Sequence, residues 1–303
     1  MWSSARRVRS AAARMRKNIG DFMRLAVLGD IHANHKALEA VLAHIYAGEY
    51  DGLVFVGDYV TDCPYPRKTV EILRNIPEKY CTWFIRGNRE DYIIEYRKDP
   101  HGWEYGSKSG ALLYTFEELT DEDIDWLAKM PISIRVELEG CPAFIACHGS
   151  PDSNRYLFHT DTPEAERLID EMDCGLMVCG HSHTPYIFRR RGKMIVNGGA
   201  LGMPQNGQTR AQFARLEYDG EWRAEIVSVE YDIEGEAAEF YESGLLQKSA
   251  VWGRGIIGTI RHGVNYTVNC LYEVQRLAAE SGLPVTDENL WRRAAENIGM
   301  PNV

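Results

Sequence analysis

An α/β fold is predicted from three features of the 303-residue chain. Short, β-rich apolar runs bounded by Gly recur from Met23 onward, a pattern of buried strands. Helical stretches lie between several of these runs, and strand–helix alternation marks α/β proteins. Each run also stops abruptly at a loop of small and polar residues.

The elements follow in order. Arg24–Leu28 reads as the first strand and runs into Gly29-Asp30. Helix His35–Ala47 comes next, then strand Gly52–Val56, which ends at Gly57-Asp58. Helix Pro66–Asn75 leads to strand Tyr80–Ile85 and Gly87-Asn88. Helical patterns at Glu90–Tyr96 and Asp121–Lys129 precede strand Pro142–Cys147, which runs into His148-Gly149. Helix Pro163–Met172 precedes strand Gly175–Cys179 and Gly180-His181-Ser182-His183. Lys193–Val196, Ala211–Tyr218 and Glu221–Asp232 read as further strands, the last two joined by a hairpin at Asp219-Gly220. From about Gly235 the chain reads as mainly helical, with one long helix over Arg261–Ser281 and another over Asp287–Asn297. That tail carries no chemical motif, so its expected role is packing or oligomerisation, with homo-oligomers forming through these helices.

Composition narrows the function. The net charge is −10, from 34 basic and 44 acidic residues. Residues 1–22 hold six cations against Asp21, a net of +5, which leaves −15 on the remainder. An acidic body argues against a nucleic-acid polymer as partner. No run approaches the ~18 apolar residues of a membrane span, so no membrane partner is expected. Residues 1–22 are read as a basic extension outside the fold, expected to be disordered or translated from a start upstream of Met23, though its composition would also suit a transit peptide. The expected divisions are 1–22, a catalytic domain over 23–232 and a helical extension over 233–303. The seven cysteines show no knuckle or redox spacing, which fits a reducing compartment and a cytoplasmic location.

The five strand ends between Arg24 and Cys179 each deliver a metal-capable residue. Together they supply Asp30, His32, Asp58, Asn88, His148, His181 and His183. Ligands of open α/β sheets gather beyond the carboxyl ends of strands, so one point in space would hold all seven. Four of the nine histidines fall at such ends, beside Gly residues that let backbone crowd round a site. Imidazole, carboxylate and amide oxygen without thiolate suit Mn²⁺, Fe or Zn²⁺. Seven ligands exceed one tetrahedral zinc but serve two adjacent ions, which can clamp a phosphoryl group.

These residues resemble the calcineurin-like metallophosphoesterase superfamily. The motifs are Gly29-Asp30-Ile31-His32-Ala33-Asn34, Gly57-Asp58, Gly87-Asn88-Arg89-Glu90, His148-Gly149-Ser150-Pro151 and Gly180-His181-Ser182-His183, in the family's order over Met23 to Asp232. Cys63-Pro64-Tyr65-Pro66, Asn197-Gly198-Gly199-Ala200 and Thr209-Arg210-Ala211 are similar to the bacterial phosphodiesterase and diadenosine-tetraphosphatase-like branch. The resemblance implies a two-sheet β-sandwich flanked by helices, with the site at one edge. It implies one divalent ion on Asp30, His32 and His183, another on Asn88, His148 and His181, and Asp58 bridging them. Mn²⁺ is the expected metal, with Fe or Zn²⁺ as alternatives. The implied activity is a phosphoesterase attacking phosphorus with a metal-bridging hydroxide, with Asp58, Asn88, Arg89 and His148 as the catalytic set.

The chain departs from the pattern at Arg89, where many members carry His. Arginine is a poor proton donor but binds phosphoryl oxygens and stabilises developing charge. Good leaving groups are therefore expected, unless Arg89 only pairs an acid such as Glu90 or Asp91. Cys63 stands where relatives often have Gly, and Gly198 and Ala200 replace a common Pro and Ser. Asn34 is either a helix cap or a support for the site. Arg89, Arg155 and Arg210 are candidate substrate contacts. The aromatics and cations of two weakly patterned stretches, among them His101, Trp103, Tyr105, Lys108, Asn154, Tyr156, Phe158 and His159, either stack a base or pack as core. The expected substrate is a small phosphorylated molecule of nucleotide type. A serine/threonine-type protein phosphatase and a non-catalytic scaffold remain open as alternatives. Retention of all seven ligands counts against the scaffold, and Arg89 counts against the protein phosphatase.

Overall fold

The computed structural model describes residues 22–160 and 162–303; the expectation for the basic segment falls on residues outside these, apart from Phe22. The first sheet has the order β10-β9-β1-β2-β3, from Trp222–Val229, Ala211–Tyr218, Met23–Leu28, Gly52–Phe55 and Cys81–Phe84. The second has the order β4-β5-β6-β8-β7, from Ser133–Leu138, Cys141–Cys147, Leu176–Cys179, Lys193–Asn197 and Tyr186–Arg190. Pairs β1–β2, β2–β3, β5–β6 and β6–β8 are parallel; antiparallel strands close both sides of the second sheet and one side of the first, whose other edge is the parallel strand β3. The fold class is α/β, as the strand–helix alternation predicts.

Burial explains the layering. Leu25, Val27, Val54, Val56 and Trp83 of the first sheet's inner face meet Val136, Phe144, Ala146, Val178 and Val196 of the second. The alternate residues Ala26, Leu28, Leu53 and Phe55 face outward, onto helices α1 (His35–Ala47), α3 (Asn88–Lys98) and α5 (Asp121–Ala128). α2 (Pro66–Arg74) packs on that side through Val70 and Leu73. α6 (Pro163–Glu171) covers the second sheet through Ala165 and Ile169. The central strands are buried on both faces, which is why they read as continuous apolar runs.

Three elements fall outside the strands and helices expected from pattern: β4, β7 and α4 (Gly110–Glu118). The single helix expected over Arg261–Ser281 is two. α8 (Leu245–His262) ends at Gly263, whose φ of 68° is the left-handed C-cap that only glycine adopts cheaply. Asn265 then caps α9 (Tyr266–Ser281), its side chain accepting from the Val268 N–H. The final strand is also shorter than expected, because Asp232 caps α7 (Ile233–Glu242). α10 (Glu288–Asn297) packs on α9 and α8 through Trp291, Ala294 and Ala295.

The C-terminal helices share a core with the loops of the first sheet. Ala237, Phe240, Leu245, Ile256, Ile257 and Ile260 cluster with Ala33, Cys63 and Met203 and with Ala111 and Tyr114 of α4. On α7, Glu236 is fully buried. Burial and the neighbouring Glu239 charge push its carboxyl well above the usual range. A raised carboxyl pKa leaves stability intact below the unfolded value of about 4.5 and erodes it above, by about 1.4 kcal/mol for each pH unit up to the folded value. Glu236→Gln is therefore expected to match the parent near pH 4.5 and to exceed it by about 1 kcal/mol or more at pH 8. Urea unfolding at the two pH values checks this, and a stability gap independent of pH would refute it.

Candidate metal centre

Both sheets send their parallel strands toward one edge, and the chain after each strand turns sharply there. Asp30, His32, Asp58, His181 and His183 all hold positive φ, between 52° and 70°. Non-glycine residues rarely occupy this region, and such strain collects at functional sites. The loops brace each other: the Asp30 N–H donates to Gly57 O at 3.0 Å, and the Ile31 and His32 N–H groups donate to Asp58 O. Gly87 allows the closest approach. A Cβ there would lie 2.2 Å from Asp58 Oδ1 and 2.4 Å from its backbone nitrogen.

Two groups of side chains result. Asp30, His32 and His183 form one, Asp58, His148 and His181 the other, each with ligand-capable atoms within 4.8 Å of one another. Asn88 joins the second group, its Oδ1 3.1 Å from His148 Nε2. Asp58 faces both groups, with Oδ2 3.3 Å from His148 Nε2 and 3.7 Å from His32 Nε2. Its Oδ1 accepts from the Arg89 N–H at 2.9 Å.

The ring nitrogens test whether cations fit. His32 Nδ1 faces Asp62 Oδ2 at 2.9 Å, His183 Nδ1 faces Met203 O at 2.8 Å, and His148 Nδ1 faces Val56 O at 2.7 Å. Each acceptor calls for the proton on Nδ1, leaving the Nε2 lone pair pointing inward. Yet His32 Nε2 and His183 Nε2 lie 3.1 Å apart, and His148 Nε2 faces the oxygens of Asn88 and Asp58. Acceptors thus converge on acceptors, the arrangement a divalent cation resolves. The residues present fit two such ions.

The protein groups alone carry conflicting charges. Burial pushes Asp30 up to about 6 despite the opposing charge of His148. Burial also resists ionisation of Asp58, but the charge and hydrogen bond of His148, with His32 and Arg89, hold it far below the usual carboxylate range. Burial opposes the charge on His148 as well, yet Asp58 raises it to about 9. Burial and the His148 charge lower His181 to about 4, and burial with His32 keeps His183 well below its ordinary value.

Asp62 and Trp252 complete the centre and were not singled out from sequence, and Glu90, read there as a motif residue and candidate acid partner of Arg89, braces its loops instead. Asp62 is buried and also accepts from Thr61 Oγ1 at 2.9 Å and Trp252 Nε1 at 2.8 Å. It thus orients His32 as carboxylates orient metal-binding histidines. Its own anchor comes from α8, 190 residues away in sequence, a distance no local motif bridges. Trp252→Phe keeps an aromatic side chain and removes the N–H. We expect about a tenfold loss of Mn²⁺ affinity by calorimetry, the low end for an outer partner of a metal ligand; unchanged affinity would show that the bond does not support the site.

The candidate substrate residues divide. Arg89 Nη2 lies 3.4 Å from Asp62 Oδ2, and burial notwithstanding, Asp62 and Asp58 raise its pKa further. Its acid partner is therefore Asp62, while Asp91 pairs with Arg86 at 2.5 Å. Arg155 pairs with Glu95 at 3.4 Å and lies over the Tyr92 ring. Arg210 pairs with Glu230 at 2.7 Å. Trp103 stacks on Tyr96 and Phe158 on Tyr186, so both pack rather than await a base. Asn34 plays both expected parts: its Oδ1 caps α1 at the Ala37 N–H, and its Nδ2 donates to Gly202 O.

Residues 23–221 match the model of the calcineurin-like phosphoesterase superfamily domain. The chain belongs to this superfamily. A metallophosphoesterase from Sphaerobacter thermophilus superposes with a TM-score of 0.65 at 27% identity, covering 80% of this chain and all of that one. A hypothetical protein from Pyrococcus horikoshii shares the fold, with a TM-score of 0.68 at 22% identity over 80% of this chain and 98% of that one. An uncharacterised protein of Methanocaldococcus jannaschii is 27% identical over 227 residues, 64% of this chain and 88% of its own. This phosphoesterase-superfamily chain thus carries candidate metal-binding groups at the edge where its two sheets meet. No helix among the described residues is long and apolar enough to cross a membrane.

Proposed function

We propose that the chain is a dinuclear metal-dependent hydrolase of phosphoester or phosphoanhydride bonds in small, nucleotide-like substrates. The observation that carries this reading is Asp58, whose carboxylate faces one ligand group through His32 and the other through His148. Asp30, His32 and His183 would hold one ion, and Asn88, His148 and His181 the other. When bound, two divalent ions supply positive charge for the phosphoryl oxygens and lower the pKa of water. Hydrolysis adds a water oxygen to phosphorus, breaks the P–O bond to the leaving group and places a proton on the leaving oxygen.

The chain's own groups have distinct work in this scheme. Asp62, Thr61 and Trp252 hold His32 in one tautomer and orientation. Arg89, fixed beside Asp58 and Asp62, offers N–H donors to a phosphoryl oxygen. It stays charged at working pH, so it stabilises charge rather than protonating the leaving oxygen. That favours leaving groups stable as anions, namely aryl esters and phosphoanhydrides. A protein phosphatase fits this less well, because alkyl seryl esters need a proton. The seven cysteines support a cytoplasmic setting for this activity.

The test is an assay of the Mn²⁺-, Zn²⁺- or Fe²⁺-loaded protein against an aryl monoester, an aryl diester, a dinucleoside polyphosphate and a phosphoserine peptide. Turnover of the aryl esters or the polyphosphate above the peptide is expected. Peptide turnover above all others would overturn the substrate reading.

A further inference from the structure

Beside the metal centre lies a cavity of about 410 Å³. Asp62 and Arg89 form the wall it shares with the centre. The opposite walls come from α4 and from the three last helices, through Leu112, Trp252, Leu271 and Trp291 among others. Trp252 stands edge-on to Trp291, with centroids 6.2 Å apart, while its indole N–H holds Asp62. Lys108 adds a second cation on an exposed part of the lining. The carboxylate of the lining, Asp62, is already engaged by His32, Thr61, Trp252 and Arg89. The cavity therefore has surplus positive charge beside a broad apolar and aromatic surface.

We propose that this cavity is the substrate-recognition pocket, taking the flat aromatic group of a nucleoside phosphate whose phosphoryl end reaches Arg89 and the metal centre. This rests on the phosphoesterase reading above and adds to it the class of group recognised beside the phosphoryl end. A ring entering between the apolar walls and Trp252 gains stacking and burial of apolar surface. Lys108 meets a further phosphate or the charge spread along the ester. Trp252, Leu271 and Trp291 lie beyond residue 221, where the superfamily match ends, so specificity would come from this chain's own C-terminal helices. Those helices, without a motif of their own, would then select the substrate and, through Trp252, also brace its metal ligand.

The test compares AMP with ribose 5-phosphate by calorimetry on the Mn²⁺-loaded full chain. The two share the sugar phosphate and differ at C1′, which carries adenine in one and a hydroxyl in the other. The parent should bind AMP at least about tenfold more tightly, the scale of one stacked base. Leu271→Trp, which fills the cavity, should bring the ratio near one. Gln275→Trp does the same from an exposed helix position that tolerates a large side chain. Lys108→Glu should weaken both ligands. Equal affinities in the parent, or an unchanged ratio in a folded Gln275→Trp variant, would overturn the pocket. Failure of the phosphoesterase reading looks different: AMP would bind with the predicted ratio while no phosphoester was turned over.

Discussion

Asp58→Asn is expected to lower the proposed turnover by roughly 10³-fold while the fold persists, the upper end of what one preorganised charge-stabilising group contributes. The reason lies in the two ends of the carboxylate. Oδ1 is held by the Arg89 N–H, which an asparagine carbonyl can also satisfy. Its amide nitrogen would then occupy the place of Oδ2, between His148 Nε2 and His32 Nε2. There it donates two protons to the imidazole lone pairs and presents no lone pair to a cation. Asparagine fills nearly the same volume, so circular dichroism and thermal unfolding should resemble the parent. The measurement is kcat/KM on an aryl phosphate with bound metal quantified alongside. Activity within a factor of ten of the parent would contradict the role given to Asp58.

Glu90→Gln is the second large effect, and it falls on stability. Glu90 Oε1 accepts from the Tyr59 and Val60 N–H groups, and Oε2 from those of Asp58 and Gly87, at 2.8 to 3.3 Å. Burial and the Asp58 charge push this carboxyl up to about 7, against the pull of the backbone donors. Glutamine keeps one acceptor and turns an NH₂ toward two buried donors. Each unsatisfied buried donor costs about 1–3 kcal/mol, so a loss of roughly 2–5 kcal/mol is expected. Denaturant unfolding measures it. A loss below about 1 kcal/mol would mean that the loops after β2 and β3 do not depend on Glu90.

β1, β2 and β6 were legible because both faces are buried, so each is an apolar run stopped by Gly; β5 runs apolar from Phe144 into His148-Gly149, and β3, a half-buried edge strand, still stops before Gly87. β4 and β7 obey a different rule. Along Ser133–Leu138 the Arg135 and Glu137 side chains point outward between buried neighbours, and Tyr186–Arg190 ends in two arginines. Both are sheet-edge strands and alternate or tail off. α4 has only nine residues and a nearly continuous apolar face, too short for a period to show. The seven metal-capable residues were readable because each lies within four residues of a strand's end. Asp62 and Trp252 follow no strand, and their roles arise only when α8 packs against the loop after β2. Glu90 was readable as a charge near Arg89, but its four backbone partners depend on two loops meeting. Arg155 and Arg210, cationic in sequence, find carboxylates of their own in the fold.

Metal stoichiometry tests the central claim most directly. The full chain is stripped with chelator, titrated with Mn²⁺ by calorimetry, and its bound metal counted after gel filtration. Two ions per chain are predicted for the parent, and no more than one for folded Asp58→Asn. A folded parent that turns over phosphoesters while holding one ion or none would contradict the account.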